Sequence, residues 1–208
     1  RALEHVDARG ADGGADDDAL YGAGGFDTLY GDAGDDFLNG GNDADKLYGG
    51  IGADALRGGN GDDELFRGDG DDDVRGGNHN DELYGGAGVD RIRGEAGDDV
   101  LFYDSDDIFW GGSGFDWLAV QETDGSNINF ANGKIRDGIE GVSLINENGG
   151  ALANQLTINA ADIIVNSDLD YVFVAGDIGL DSVVSTDYDL SDRVAGGNAK
   201  RGGHEYAR

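Results

Sequence analysis

Between Gly13 and Phe102 the chain is ten nine-residue units laid end to end without a gap, beginning at Gly13, Gly22, Gly31, Gly40, Gly49, Gly58, Arg67, Gly76, Gly85 and Gly94. They share the pattern G-G-x-G-x-D-x-U-x, where U is aliphatic. The sixth position is aspartate in all ten: Asp18, Asp27, Asp36, Asp45, Asp54, Asp63, Asp72, Asp81, Asp90 and Asp99. The eighth is leucine, isoleucine or valine in all ten, from Leu20 to Leu101. A glycine-rich composition explains the glycines, but it does not hold two other residue types in register over ten units. A period this short implies stacked coils, in which no unit buries its apolar face alone.

One aliphatic residue every nine is too sparse for a helix face. It fits a short strand, x-U-x, with U inward and its neighbours outward, followed by a six-residue turn. Such a turn requires positive φ, which glycine adopts without steric penalty. Where the fourth position is not glycine it is Asp16, Asp43 or His79, residue types that tolerate the left-handed region. The ninth position tells how many units make a coil. It is Tyr30, Tyr48, Phe66, Tyr84 and Phe102 in even-numbered units, but Tyr21, Asn39, Arg57, Arg75 and Arg93 in odd-numbered ones. The repeat in space is therefore two units, and ten units make about five coils. One sheet carries an aromatic ladder whose stacked rings are expected to stabilise it, with a glycan or protein contact as the alternative. The arginine row of the other sheet reads as a charge-compensating ladder.

With 44 acidic residues against 14 basic ones, the formal charge is −30. Such a surface repels nucleic acid and anionic membrane and favours a cationic ligand. Stacking coils at the strand spacing, about 4.7–4.9 Å, brings each aspartate close to the one two units along. A single buried aliphatic residue per unit does not offset both that repulsion and the ordering of nine backbones. A divalent cation does. Calcium takes six to eight oxygens at about 2.3–2.6 Å, and twice that bond length matches the coil spacing. Magnesium is smaller and holds its water, and zinc calls for cysteine or clustered histidine. There is no cysteine, and His5, His79 and His204 are far apart in sequence. The expected metal ligands are the ten aspartates above and Asp116. Four complete levels on each edge of the coil stack give about eight calcium ions. The EF-hand loop, the rival calcium motif, is absent.

The ten units, and an eleventh at 111–119 ("GGSGFDWLA") after the eight residues "YDSDDIFW", resemble the RTX (repeats-in-toxin) family. The resemblance implies an all-β, right-handed parallel β-roll that binds calcium and belongs to a bacterial protein exported by type I secretion. It implies an extracellular or cell-surface location and a chain that is disordered without calcium and folds after export. The segments "DDVLFYDSDDIFWGGSGFDWLAV", "GIEGVSLIN", "LTINAADIIV" and "VAGDIGLDSV" are similar to the C-terminal region of large RTX adhesins. That likeness implies an adhesin as parent and the type I secretion machinery as partner. The alternative parent is a secreted RTX enzyme (protease, lipase or alginate epimerase) or toxin.

The expected organisation is a lead-in at 1–12, the roll at 13–102, a transition at 103–119 with the further repeat, a β-rich continuation or cap at 120–190, and a flexible tail at 191–208. Within the cap "SNINF", "GVSLI", "NQLTI", "YVFVAG" and "DSVVS" read as strands, and "NAADIIVNS" (159–167) as a short helical turn capped by Asn159. Phe109, Trp110, Phe115 and Trp117 are expected to pack the core and cap at the junction. No run of 18 apolar residues is present to span a membrane. The chain starts at Arg1 and is read as a piece of something longer. Neither G-x-S-x-G nor H-E-x-x-H occurs, and His204-Glu205 has no second histidine after it. No catalytic residue is assigned, no enzymatic activity is expected, and the chain is expected to be monomeric.

Overall fold

A computed structural model of the chain describes residues 3–5, 10–121, 128–129, 135–145, 156–158, 173–176, 183–185, 200–201 and 204–205. Among these residues every regular element is a strand. Two parallel sheets face each other. One stacks Leu3–His5, Ala19–Gly24, Phe37–Asn42, Ala55–Asn60, Asp73–Asn78, Arg91–Ala96, Ile108–Ser113 and Ile135–Asp137. The other stacks Ala11–Gly14, Thr28–Ala33, Lys46–Ile51, Glu64–Asp69, Glu82–Tyr84, Val100–Phe102, Trp117–Gln121, Gly141–Ile145 and Phe173–Gly176. Successive units feed alternate sheets, so Leu29 pairs with Leu47 and Leu38 with Leu56. This is the parallel β-solenoid, two units to a coil, that the ninth-position alternation requires. The aliphatic residues at position eight, Leu20 through Leu101, are at most 2% exposed and form one continuous file between the sheets.

Most strands are longer than the x-U-x segments expected from sequence, although Glu82–Tyr84 and Val100–Phe102 keep that length. Lys46–Ile51 covers positions seven to nine and then the G-G-x of the next unit, with burial alternating through Gly49 and Gly50 and ending on the exposed Ile51. The reason is steric. The first glycine of the unit faces inward, as Gly40 and Gly58 do, and its lack of a side chain lets the sheet continue to pair one residue further, at Gly41–Gly59. Only positions four to six remain as the turn. Position four is left-handed where the sequence offers Asp43 (φ 72°) and His79 (φ 79°), whereas Asp16 in the first turn is not. Position two is left-handed as well in every unit but the ninth, even where it is Ala23, Asp32 or Glu95.

The roll does not stop at the last regular unit. Arg91–Ala96 pairs with Ile108–Ser113, bringing Phe109 opposite Ile92, and Phe109 is fully buried in the core file. "YDSDDIFW" is thus a coil segment one residue short. Leu118 follows above Leu101 and Val142 above Leu118. "GVSLI" and, from "YVFVAG", Phe173–Gly176 extend the second sheet, and the register of the first shifts after Phe109 as Ile135–Asp137 joins it. Ile128–Asn129, Leu156–Ile158 and Val183–Ser185, from "SNINF", "NQLTI" and "DSVVS", pair as a third parallel sheet. In the tail, Lys200–Arg201 pairs antiparallel with His204–Glu205. "NAADIIVNS" lies outside the described residues. No helix is long and apolar enough to cross a membrane among the described residues.

The outer faces carry the two ladders. Tyr30, Tyr48, Phe66, Tyr84 and Phe102 stack ring on ring at 4.9, 4.7, 4.5 and 4.1 Å between centroids. On the other sheet Arg75 pairs with Asp73 at 3.4 Å, Arg93 pairs with Asp73 as well, and the Arg93 guanidinium lies 4.5 Å from the Trp110 ring centre. These pairs are half-buried at the sheet surface and individually weak. Of the junction aromatics, Phe109 is core, while Trp117 packs against the backbone of Gly141 and lies 5.4 Å from Phe115.

Candidate metal centre

Each turn ends on its aspartate because the chain must pass from the outer corner into the next strand, and the carboxylate caps that passage. The Asp45 Oδ1 accepts the backbone N–H of Asp27 at 2.7 Å, and Asp63 Oδ1 accepts that of Asp45 at 2.7 Å. The pattern repeats coil by coil to Asp81, Asp99 and Asp116 on the same edge. On the opposite edge it runs through Asp18, Asp36, Asp54, Asp72 and Asp90. All eleven predicted ligands therefore fall into two straight files, one on each edge, and from Asp27 onward each is at most 3% exposed.

Two further acids continue the files. Asp107 Oδ1 accepts the N–H of Asp90 at 3.0 Å, and Glu140 Oε2 accepts that of Asp116 at 2.9 Å. Sequence reasoning missed both. The signal was present as Asp107-Ile108-Phe109 and Glu140-Gly141-Val142, each an acid two residues before a buried apolar one.

One carboxylate oxygen thus holds the backbone, and the other has a different fate. The Oδ2 atoms of Asp36, Asp45, Asp54, Asp63, Asp72, Asp81, Asp99 and Asp116 are buried without a hydrogen-bond partner. A buried carboxylate oxygen left in this state is strongly unfavourable unless a cation faces it. What borders these oxygens is informative. A Cβ built on Gly58 would lie 2.3 Å from Asp63 Oδ2 and 2.6 Å from the carbonyl oxygen of Gly76, one coil further on. At Gly49 the same point is 2.6 Å from Asp54 Oδ2 and 2.4 Å from the Arg67 carbonyl. The first glycine of the unit therefore keeps open a small space walled by a carboxylate oxygen and a backbone oxygen. These are hard oxygen donors, the set that calcium takes. Among the described residues no three acidic or histidine side chains converge on one point. The carboxylates stand in file, so an ion between levels completes its shell from carbonyls.

Electrostatics agree. Burial pushes the carboxyls of Asp45, Asp54 and Asp99 up to about 6, of Asp63 and Asp116 to about 7, and of Asp81 to about 9. The backbone N–H from the preceding coil opposes the shift, and neighbouring carboxylates add to it. Because these folded-state values lie above the ordinary 3.8, the metal-free roll binds more protons than the unfolded chain between about pH 4 and pH 9, with most of the groups titrating below about pH 7. Its stability therefore falls as pH rises through that window. In chelator, far-UV circular dichroism is expected to show more β-structure at pH 5 than at pH 8. In calcium the order reverses, because the ion displaces the protons. The same order in both media would contradict cation binding at these oxygens.

A family model of the RTX calcium-binding nonapeptide repeat matches the chain in four copies, at residues 12–47, 39–74, 75–107 and 103–118, which together span just over half of it. No curated protein and no solved structure matches the chain. The matched span coincides with the coils that carry the two aspartate files. By its repeats, its solenoid and its oxygen-lined edges, this chain belongs to the RTX calcium-binding nonapeptide repeat family.

Proposed function

We propose that the chain is a calcium-triggered folding module of an extracellular protein exported by type I secretion, and that it is not itself catalytic. The supporting observation is the pair of files of buried Oδ2 atoms without hydrogen-bond partners, which penalise the coil stack until a cation faces them. In this reading the aspartates from Asp18 to Asp99 and Asp116 ligate calcium together with carbonyls of the glycine turns. The number of ions is about eight, from four levels per edge. Asp116 and Glu140 lengthen one edge beyond the regular units.

The rest follows from compartment chemistry. Sites of extracellular modules bind calcium at about 10⁻⁴–10⁻³ M, so a chain with such sites stays open in a calcium-poor cytosol and closes outside. The likeness of 98–183 to the C-terminal region of RTX adhesins favours a surface adhesin as the parent. An accessory roll of a secreted enzyme or toxin is the alternative, decided by what precedes the repeats. Resistance to proteolysis, followed across a calcium titration, tests the module itself. Protection is expected to appear with a midpoint near 10⁻⁴–10⁻³ M. A nanomolar midpoint, or full protection in chelator, contradicts the reading.

A further inference from the structure

Arg67 stands where nine of the ten units have their first glycine. Its side chain is fully buried and reaches the space beside Asp90 that Gly85 leaves open in the next coil. Nε donates to the carbonyl of Tyr84 at 2.9 Å, and Nη2 donates to Asp107 Oδ2 at 2.9 Å. Nη1 lies 2.7 Å from Asp90 Oδ2, a charge contact rather than an aligned hydrogen bond. Gly85 makes the passage possible, since a Cβ there would sit 2.9 Å from Nη2. The guanidinium thus meets two successive members of one carboxylate file and a backbone carbonyl. Those are the donor types that border the spaces elsewhere. In the rest of the two files, no lysine or arginine side chain contacts the Oδ2 of Asp36, Asp45, Asp54, Asp63, Asp81, Asp99 or Asp116 among the described residues.

We propose that Arg67 is a tethered cation that takes the place of a calcium ion at the Asp90–Asp107 level. The inference rests on the reading that calcium fills the other levels. Arginine suits the task because it stays charged when buried and presents several donors in a planar fork. Its level is neutralised by the chain itself, whatever the calcium concentration. The other levels depend on the ion.

Replacing Arg67 by glycine restores the regular unit and tests this directly. Calcium bound per folded chain, measured by metal analysis after equilibrium dialysis of the 208-residue protein, is expected to rise by at least one ion in Arg67→Gly. An unchanged or lower count in a folded variant overturns the proposal. A second measurement uses the unaltered chain and so does not depend on the variant folding. In an anomalous-scattering map of calcium-loaded crystals, peaks are expected beside Asp45, Asp63 and Asp81, and none between Asp90 and Asp107. A peak there, with the Arg67 side chain turned out, overturns it. Absence of every peak would instead refute the calcium reading itself.

Discussion

Replacing Asp63 by asparagine is expected to stabilise the metal-free roll and to destabilise the calcium-loaded one. The residue is 1% exposed and sits in mid-file between Asp45 and Asp81. Asparagine keeps the Oδ1 that accepts the Asp45 N–H, so the hydrogen bond between coils survives. What goes is the charge on the other oxygen. Burial already pushes this carboxyl up to about 7, with Asp45 and Asp62 adding to the shift. At pH 8 the charge is therefore a burden on the empty stack, and its removal returns at least about 1 kcal/mol. In calcium the same change takes away an ionic ligand, with a loss of about 3 kcal/mol and of at least one bound ion. Urea unfolding in the two media reads both signs, with an osmolyte added to the chelator samples to favour the compact state. Equal destabilisation in both would reduce Asp63 to a backbone acceptor and contradict its role as a ligand.

Gly70→Ala is expected to be the most damaging single substitution in a turn. Its φ of +138° is a conformation that residues with a side chain rarely adopt. A Cβ there would also stand 1.8 Å from the carbonyl oxygen of Gly52 in the preceding coil. That oxygen belongs to backbone and cannot rotate away, so relief requires the coils to part. The Asp54 and Asp72 turns of those same coils separate with them. A cost above about 4 kcal/mol is expected, with loss of an ion. Ile51→Ala is the control: its side chain is 63% exposed in the strand that leads into the Gly52 turn, and the change should stay within about 0.5 kcal/mol. Comparable melting temperatures for the two variants would show that the turns do not stack as described.

Most of the roll was legible because two constraints recur at a fixed spacing. An apolar residue that must be inward and an acid that must face its copy leave a periodic trace, and the alternation at position nine adds the two-unit coil. The aromatic ladder and the buried file from Leu20 to Leu101 follow from that trace alone. Strand length did not, because G-G-x reads as turn chemistry, whereas the inward Gly40 and Gly58 let the sheet keep pairing through Gly41 and Gly59. Asp107 escaped because one deleted residue breaks the nine-residue template while the coil absorbs it, with phenylalanine doing the work of leucine. Glu140 escaped because it follows an irregular interval and is not aspartate. Arg67 breaks the glycine column, and its role emerges only from carboxylates that the stacking brings to it, Asp107 lying forty positions further along the chain.

Calcium dependence of the fold, with ions counted on the same sample, is the most direct test. Far-UV circular dichroism of the chain in chelator at pH 8 is expected to show little β-structure, and millimolar calcium to restore it with about eight ions bound. Full β-structure in chelator, or restoration with only one or two ions, would mean that something other than cations between the coils holds the carboxylate files together.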